Sequence, residues 1–221
     1  MDPPQLIYAP IAGRAELIRL IAAAGNLPIN ELSNMANFGK PSISETGESK
    51  RDYTSPSGMP LLSHGGLKMS QSGPIETYVA AIAPRYRDLT VQQRAVDNMY
   101  QGIKEEILLS CAKAIFTTRK TDEGQAKKDV AELLDKWFTI FEERVPATGF
   151  IQGLGFPTPA DLALLNIAVG FMPFGAAKKL ADYDLDKWAK VKALCDRCAA
   201  DPGVAAYLKS SEYTAANPFG F

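Results

Sequence analysis

A tyrosine and an arginine six positions apart are the residues best suited to chemistry near the start of the chain. Tyr8 ends an apolar run at residues 6–8, and Arg14 is the second residue of the segment 13–19, which has a helical pattern. These patterns predict a strand that leads into a helix, with the phenol at the strand end and the basic side chain in the first helical turn. Because the amides of a helix N-terminus carry partial positive charge, this joint could stabilise an anion.

Two later dipeptides lie where the sequence pattern changes. Met59 and Pro60 precede a short apolar run, and Gln71 and Ser72 lie where a strand pattern changes to a helical one. Together with the tyrosine joint, these segments resemble the tyrosine-type branch of the cytosolic glutathione transferases, which includes the alpha, mu, pi and sigma classes. The resemblance extends over nearly the whole chain. It weakens at residues 34–56, where the sequence is longer and more polar than the family pattern.

The resemblance implies that Tyr8 activates the thiol of glutathione. A free thiol with a pKa of about 8.5 is only partly ionised at pH 7, so an enzyme that uses it as a nucleophile must lower that pKa. Tyr8 would donate its hydroxyl hydrogen to the sulfur, and Arg14 with the nearby helix amides would add positive potential. By itself, Tyr8 is equally consistent with a core aromatic at a strand edge, but residues 13–16 follow at the family spacing and favour the catalytic role.

The same resemblance assigns the main chain of glutathione to the two dipeptides. A cis bond between Met59 and Pro60 would turn the backbone of Met59 toward the cysteinyl group of glutathione, which would pair with it like an added strand. Gln71 and Ser72 would start a helix, so the Ser72 hydroxyl and the free amides of that turn would hold the γ-glutamyl carboxylate. Ser72 would also fit a simple helix N-cap, and the two roles are compatible.

Further contacts with glutathione follow from the resemblance alone. A basic residue meets the glycyl carboxylate in the family, and Lys50 and Arg51 are both candidates. An acidic residue on the first helix of the second domain reaches the γ-glutamyl amine bound in the partner subunit. Asp97 is the expected equivalent, Asn98 is its rival, and a solvated helix charge is the other interpretation of Asp97. Phe38 stands where the family often carries a tryptophan.

The electrophile site would lie between the two domains. The resemblance places it between residues 10–13, the face of a helix that carries Tyr100, Ile103 and Ile107, and the C-terminal residues 218–221. The two phenylalanines of the C-terminal stretch are predicted to fold over the pocket. Because these residues are mostly apolar, they suit hydrophobic acceptors.

The elements that would position these residues follow a thioredoxin-like order. Residues 1–83 are predicted as a strand, a helix, a strand, a loop, a two-stranded hairpin and a helix, in the ranges 5–9, 14–24, 28–32, 34–56, 61–69 and from Gln71 onward. The loop at 34–56 is predicted to be mobile, with one helical turn.

A polar break at residues 84–89 is the expected linker to a second, all-helical domain. Helical periods over residues 90–221 fall at 90–118, 123–145, 158–171, 175–180, 185–199 and 202–208. Thr158 and Asp161 have the spacing of a capping box, so we interpret this carboxylate as structural. The predicted fold is an α/β thioredoxin-like N-terminal domain followed by an all-α C-terminal domain.

The composition limits the class of partner. The 221 residues are 46% hydrophobic, and 24 basic against 25 acidic residues give a net charge of −1, which provides no electrostatic footprint for nucleic acid. No leader and no long apolar run are evident, so we expect a cytoplasmic protein without a membrane partner. Three cysteines and one histidine, His64, argue against a disulfide framework and against a metal site. Cys195 and Cys198 are predicted to be small buried residues rather than a redox motif.

The predicted function is conjugation of glutathione, as co-substrate, to small hydrophobic electrophiles by a homodimeric detoxification enzyme that uses no metal. Two alternatives remain open. One is a glutathione-dependent isomerase or peroxidase, which uses the same activated thiol. The other is a non-catalytic binding protein on the same fold, and the presence of Tyr8, Arg14, Gln71 and Ser72 counts against it.

Overall fold

In the computed structural model, which describes residues 2–216, four strands form one mixed sheet. The strands are β1 (Gln5–Tyr8), β2 (Asn30–Ser33), β3 (Leu61–His64) and β4 (Leu67–Ser70). The strand order is β2-β1-β3-β4, in which β1 and β2 are parallel and the other two pairs are antiparallel. A parallel pair needs a crossover connection, and the first helix supplies it. The predicted thioredoxin-like arrangement is confirmed.

Helices make up the rest of the described fold. They are α1 (Glu16–Ala24), α2 (Ser72–Ile82), α3 (Val91–Phe116), α4 (Glu123–Arg144), α5 (Pro159–Val169), α6 (Phe174–Ala181), α7 (Ala189–Ala199) and α8 (Pro202–Ser210). Within residues 90–216 no strand occurs, which confirms the predicted all-α second part. The central helix of this part, α5, is buried along almost its whole length and packs against α1, α3 and α7.

The start of α5 has the capping box that its sequence predicted. Asp161 Oδ2 accepts a hydrogen bond of 2.8 Å from the Thr158 amide, which completes the predicted capping box. The other carboxylate oxygen accepts the Ile151 amide at 2.7 Å. Both oxygens of Asp161 are therefore used to hold backbone, and the structural interpretation of this carboxylate is confirmed.

The segment between the two parts is packed rather than free. Tyr86 lies fully buried in the core that runs from the sheet to α8, and its hydroxyl donates to the Pro157 carbonyl at 3.1 Å. Arg85 donates to the Ala24 carbonyl at 3.0 Å and pairs with Asp201 at 2.6 Å. The polar residues that marked this break in the sequence connect the two parts to each other.

The loop at residues 34–56 differs from its predicted mobile form. It contains two 3₁₀ turns, Met35–Asn37 and Lys50–Tyr53, where one helical turn was expected. Ile43 and Tyr53 are fully buried against β1 and β3 in a second, small hydrophobic cluster. These two buried residues are isolated among polar ones, so they give the loop no helical or strand period.

The remaining sequence features lie in the core or at turns. Cys195 and Cys198 are buried free thiols on α7, as predicted. His64 ends β3 at the predicted hairpin, with its Nδ1 atom 2.7 Å from the Tyr78 hydroxyl. In residues 2–216 no single helix is long and apolar enough to cross a membrane, although α5 and α6 together, bent by 42°, would pass by length and composition.

A buried ion pair joins α2 to α3, and it generates a stability prediction. Glu76 and Lys104 are both buried, with Oε1 and Nζ 2.7 Å apart. Removal of one partner leaves an uncompensated buried charge, so we expect Lys104→Met to lower the free energy of unfolding by about 3–5 kcal/mol. An apolar pair removes both charges, so the double variant Glu76→Leu/Lys104→Met should recover most of that loss. Urea denaturation of the three proteins measures this, and equal loss in the single and double variants would contradict it.

Candidate active site

Tyr8 lies at the end of β1 with its hydroxyl held by the next element of the chain. The side chain is buried, with 5% of the residue exposed, and its Oη accepts a hydrogen bond of 2.9 Å from the Arg14 amide. Burial raises the pKa of Tyr8 above its usual value, so the phenol keeps its proton at neutral pH. Because the contact with Arg14 uses an oxygen lone pair, the hydroxyl hydrogen can still be donated to a ligand.

A glycine makes that contact possible. Gly13 has a positive φ of 46°, and a Cβ atom at this position would collide with the Tyr8 hydroxyl. The predicted start of α1 at Arg14 is replaced by a tight 3₁₀ turn over Gly13–Ala15, with α1 itself beginning at Glu16. This turn brings the Arg14 amide to the phenol.

The side chain of Arg14 is the first member of a chain of ion pairs that runs through two residues of α3. It pairs directly with Glu105, whose other carboxylate oxygen lies 3.6 Å from Lys104 Nζ. Lys104 in turn pairs with Glu76. The guanidinium charge of Arg14 is therefore balanced by a carboxylate, so the backbone amide is its closest contribution to Tyr8. Nothing in the spacing of the sequence indicated the partner Glu105.

An apolar cavity of about 500 Å³ opens beside the Tyr8 hydroxyl. Ile11 and Met59 line it near Tyr8, as do residues of α3, α5–α6 and the 34–56 loop: Leu108, Ala112, Phe116, Met172, Pro173 and Phe38. The three α3 residues repeat every four positions and therefore share one helix face. This i, i+4, i+8 spacing was the available signal for the acceptor side of the cavity.

The helix face that the resemblance assigned to the cavity packs into the core instead. Tyr100 is buried and stacks on Phe141 with ring centroids 6.1 Å apart, and Ile107 lies fully in the core. Ile103 is partly buried and packs against the same core. The cavity uses α3 residues that lie further along the helix instead. The predicted contribution of residues 218–221 lies outside the described residues.

A second cavity, of about 780 Å³, lies at the start of α2. Its walls include Gln71, Ser72, Asn98, Gln101 and Glu105. Gln71 has a positive φ of 74°, which is unusual for a non-glycine residue and is typical of ligand sites. Within the part of the chain that the structure describes, its side chain makes no capping bond to α2. The first amides of the helix, next to this cavity, therefore receive no hydrogen bond from that side chain.

Two polar atoms in the wall of this second cavity lack hydrogen-bond partners among residues 2–216. They are Glu105 Oε2, an acceptor, and Gln101 Nε2, a donor, and both are buried. Buried polar atoms normally find hydrogen-bond partners, so a donor and an acceptor without such partners in one cavity wall favour a ligand that carries both types of group. Glu105 Oε2 has one ionic neighbour, Lys104 Nζ at 3.6 Å. Neither residue was singled out from the sequence for this role.

Asp97 does not line the second cavity, and its expected contact with glutathione in a partner subunit stays a prediction. Only 3% of it is exposed, and its Oδ1 accepts hydrogen bonds from the Ala160 amide at 3.0 Å and from Gln152 Nε2 at 2.7 Å. The carboxylate therefore ties α3 to the start of α5 and is directed into its own subunit. Its rival Asn98 does line the second cavity. The reason is helical geometry, since neighbouring positions point about 100° apart.

Lys50 and Arg51 also separate in the structure. Lys50 is fully buried, and its Nζ donates to the Asn37 carbonyl at 2.5 Å and to the Ser57 carbonyl at 2.9 Å. Burial lowers the pKa of this amine. Arg51 is exposed in the same 3₁₀ turn. Lys50 therefore connects two ends of the 34–56 loop, next to residues that line the first cavity.

The Met59–Pro60 peptide bond is cis. Met59 lines the first cavity, and Pro60 immediately precedes β3. In residues 2–216 no group of three or more histidine, cysteine, aspartate or glutamate side chains is placed to hold a metal ion.

Residues 105–211 match the family model of the glutathione S-transferase C-terminal domain. No curated protein matches the sequence. Among solved structures, rat hPGDS complexed with a quinoline aligns with a TM-score of 0.71 and 17% identity, over 95% of this chain and 98% of that chain. The chain has the glutathione transferase fold. A Caenorhabditis elegans glutathione S-transferase gives a TM-score of 0.71 at 20% identity, over 96% of this chain and 99% of that chain.

NaGST-2 is a further structural neighbour of this glutathione transferase fold, with a TM-score of 0.69 and 19% identity over 95% of this chain and 97% of that chain. At such identities the alignments establish the fold. In this fold, Tyr8 and the first cavity lie where the sheet-bearing part meets α3, and the matched C-terminal domain supplies most of the cavity's apolar wall.

The buried carboxylate of Asp97 generates a pH-dependent prediction. Desolvation raises its pKa from 3.8 to about 6. Because the folded-state pKa is the higher one, the favourable contribution of Asp97 is complete below about pH 4 and is lost as the pH rises through about 6. Asp97→Asn keeps an oxygen acceptor but cannot ionise. We expect its stability relative to the native chain to increase by on the order of 3 kcal/mol between pH 4 and pH 7.

Urea denaturation of both proteins across that pH range measures the difference between their free energies of unfolding. Groups that titrate alike in the two proteins do not contribute to this difference. A difference that stays constant with pH would show that Asp97 ionises normally. Because Asp97 is directed away from the second cavity, the same variant should bind glutathione like the native chain.

Proposed function

We propose that this protein is a tyrosine-type glutathione transferase that joins the thiol of glutathione to hydrophobic electrophiles. The observation that carries the proposal is the Tyr8 hydroxyl, held 2.9 Å from the Arg14 amide in the wall of an apolar cavity. The fold and the match of residues 105–211 to a glutathione S-transferase domain support it.

The mechanism that follows is stabilisation of a thiolate by a fixed donor. The Arg14 amide occupies a lone pair of Tyr8 Oη, and the hydroxyl donates its hydrogen to the sulfur of glutathione. As the thiol ionises its proton passes to water, and the thiolate then attacks the electrophilic atom of the acceptor. The new carbon–sulfur bond displaces a leaving group as its anion, or moves a π-electron pair onto the acceptor, which then takes a proton from water. Because the donor is positioned before the charge develops, no reorganisation is needed in a site of low polarity. Positioning of the two substrates in adjoining cavities supplies the rest of the rate enhancement.

The second cavity suits the γ-glutamyl end of glutathione. That end carries an ammonium and a carboxylate on one carbon atom. Glu105 Oε2 would accept from the ammonium, while Gln101 Nε2 and the first turn of α2 at Ser72 would donate to the carboxylate. Met59 would pair with the cysteinyl backbone between the two cavities. In this proposal Glu105 takes the role that the resemblance assigned to Asp97.

The acceptor would bind in the first cavity against α3. Its wall there consists of aliphatic and aromatic side chains, of which Leu108, Ala112 and Phe116 form one continuous face. Such a wall favours hydrophobic acceptors over charged ones. The homodimer, the cytoplasmic location and a role in detoxification stay predictions from the resemblance.

The decisive test of the proposal is Tyr8→Phe. The ring that packs at the strand edge remains, but the donor to the sulfur is lost. We expect the pKa of the bound glutathione thiol, followed by the ultraviolet absorbance of the thiolate, to rise by about one to three units, with turnover roughly tenfold lower for each unit. Glutathione affinity should change little, because its two ends are held elsewhere. Tyr183→Phe, which removes a hydroxyl bonded to Trp188 far from the cavity, is the matched control.

An unchanged thiol titration in Tyr8→Phe would refute the assigned role. Turnover with a chloronitroarene and with a hydroperoxide, measured in the native protein, separates conjugation from the peroxidase alternative. Absence of both activities together with tight glutathione binding would favour a non-catalytic binding protein.

Glu105 provides a second prediction, on affinity. Glu105→Gln removes the charge that faces the proposed ammonium site, and loss of a charge-assisted hydrogen bond costs about 1.5–3 kcal/mol. We expect glutathione to bind roughly tenfold or more weakly by titration calorimetry. Glu106→Gln, on the exposed side of the same helix, is the matched control. Equal affinities in the two variants would remove Glu105 from the proposed glutathione site.

A further inference from the structure

A buried arginine holds the turn that follows Tyr8. Arg19 Nη1 donates to the Ile11 carbonyl at 2.8 Å and to the Ala12 carbonyl at 3.2 Å. Its Nε donates to Glu31 Oε2 at 3.0 Å, which attaches the same guanidinium to β2. The guanidinium carbon lies 5.7 Å from the centroid of the Tyr8 ring. One cation therefore contacts both the turn between Tyr8 and Gly13 and the ring of Tyr8.

The segment after α8 closes over this arginine and contacts the same turn. The ring centroid of Tyr213 lies 4.1 Å from the guanidinium carbon of Arg19. The Tyr213 carbonyl also accepts a hydrogen bond of 3.2 Å from the Ala12 amide. Six residues earlier in the chain, the Tyr207 hydroxyl donates to Glu16 Oε2 at 2.8 Å, which fixes α8 against α1.

We propose that Tyr213 is a positioning residue for Tyr8. Its ring confines Arg19, Arg19 holds the carbonyls of Ile11 and Ala12, and these set the path of the chain that brings the Arg14 amide to the Tyr8 hydroxyl. This inference rests on the proposed function, because it assigns Tyr213 an effect on the thiolate. It gives the C-terminal segment of the second domain a role in a catalytic group of the first.

The turn needs such support because its own bonds are few. Within the turn, the Ile11 amide donates to the Ala9 carbonyl at 2.8 Å. Gly13 adds a residue whose backbone tolerates many conformations. A donor that stabilises a thiolate must keep its position closely, since a misplacement of about 1 Å can cost up to a hundredfold in rate. A cation–π contact is strongest when the cation is desolvated, as Arg19 is here.

The test compares Tyr213→Ala with Tyr213→Phe and with Glu212→Ala, the exposed neighbour in the same segment. The thiol of bound glutathione is titrated by thiolate absorbance in the full-length variants, without an acceptor, so a contact between Tyr213 and the acceptor cannot affect the result. We expect the thiol pKa in Tyr213→Ala to rise by about half to one unit and kcat to fall by about three- to tenfold. KM for glutathione should stay within about twofold.

The two control variants should match the native protein, because Phe keeps the ring over Arg19 and both keep the Tyr213 carbonyl. A thiol titration in Tyr213→Ala that equals the native one would overturn the inference, whether or not the melting temperature falls. A fall in melting temperature alone would identify Tyr213 as merely structural. If the native protein itself does not lower the thiol pKa, the proposed function fails, and this inference fails with it.

Discussion

The hydrogen bond from the Arg14 amide to the Tyr8 hydroxyl is the constraint around which the site is arranged. It requires the chain to reverse direction within five residues of the end of β1. It also requires the backbone to approach the phenol with no side chain between them. Gly13 meets the second condition, because any Cβ there would collide with the hydroxyl. The first is met by the 3₁₀ turn ahead of α1. A turn of this kind has little stability of its own, so its geometry depends on contacts from outside it.

Those contacts come from the helical part of the chain and are mainly electrostatic. From α3, Glu105 holds the Arg14 side chain, and the buried Glu76–Lys104 pair joins that helix to α2. Charges in such positions cost free energy through desolvation and contribute mostly geometry rather than stability. These ion pairs attach the sheet-bearing part to α3 beside the two cavities in which the substrates would bind.

The sequence predicted the elements well and the site unevenly, for a physical reason. Helix and strand periods depend on residues close together in the chain, as do caps such as Thr158 with Asp161. Partners brought together by packing leave no such mark. Glu105 lies 91 positions from Arg14, and Lys50 reached the Asn37 carbonyl through a loop that appeared featureless. The polar composition of that loop predicted mobility, whereas two buried side chains anchor it.

The carboxylates of this fold show how a structure separates a structural acid from a candidate functional one. Asp161 and Asp97 each accept backbone amides at the start of α5, and their oxygens are used within the subunit. Glu76 also has an oxygen without a hydrogen-bond partner, but it is buried between α2 and α3 and lines neither described cavity. Among these four, only Glu105 combines an oxygen without a hydrogen-bond partner, 3.6 Å from Lys104 Nζ, with a place in a cavity wall. An unsatisfied acceptor is informative only where a ligand can reach it. The resemblance to a family suggested an acid on α3, and the packing is what makes Glu105 the candidate that we propose.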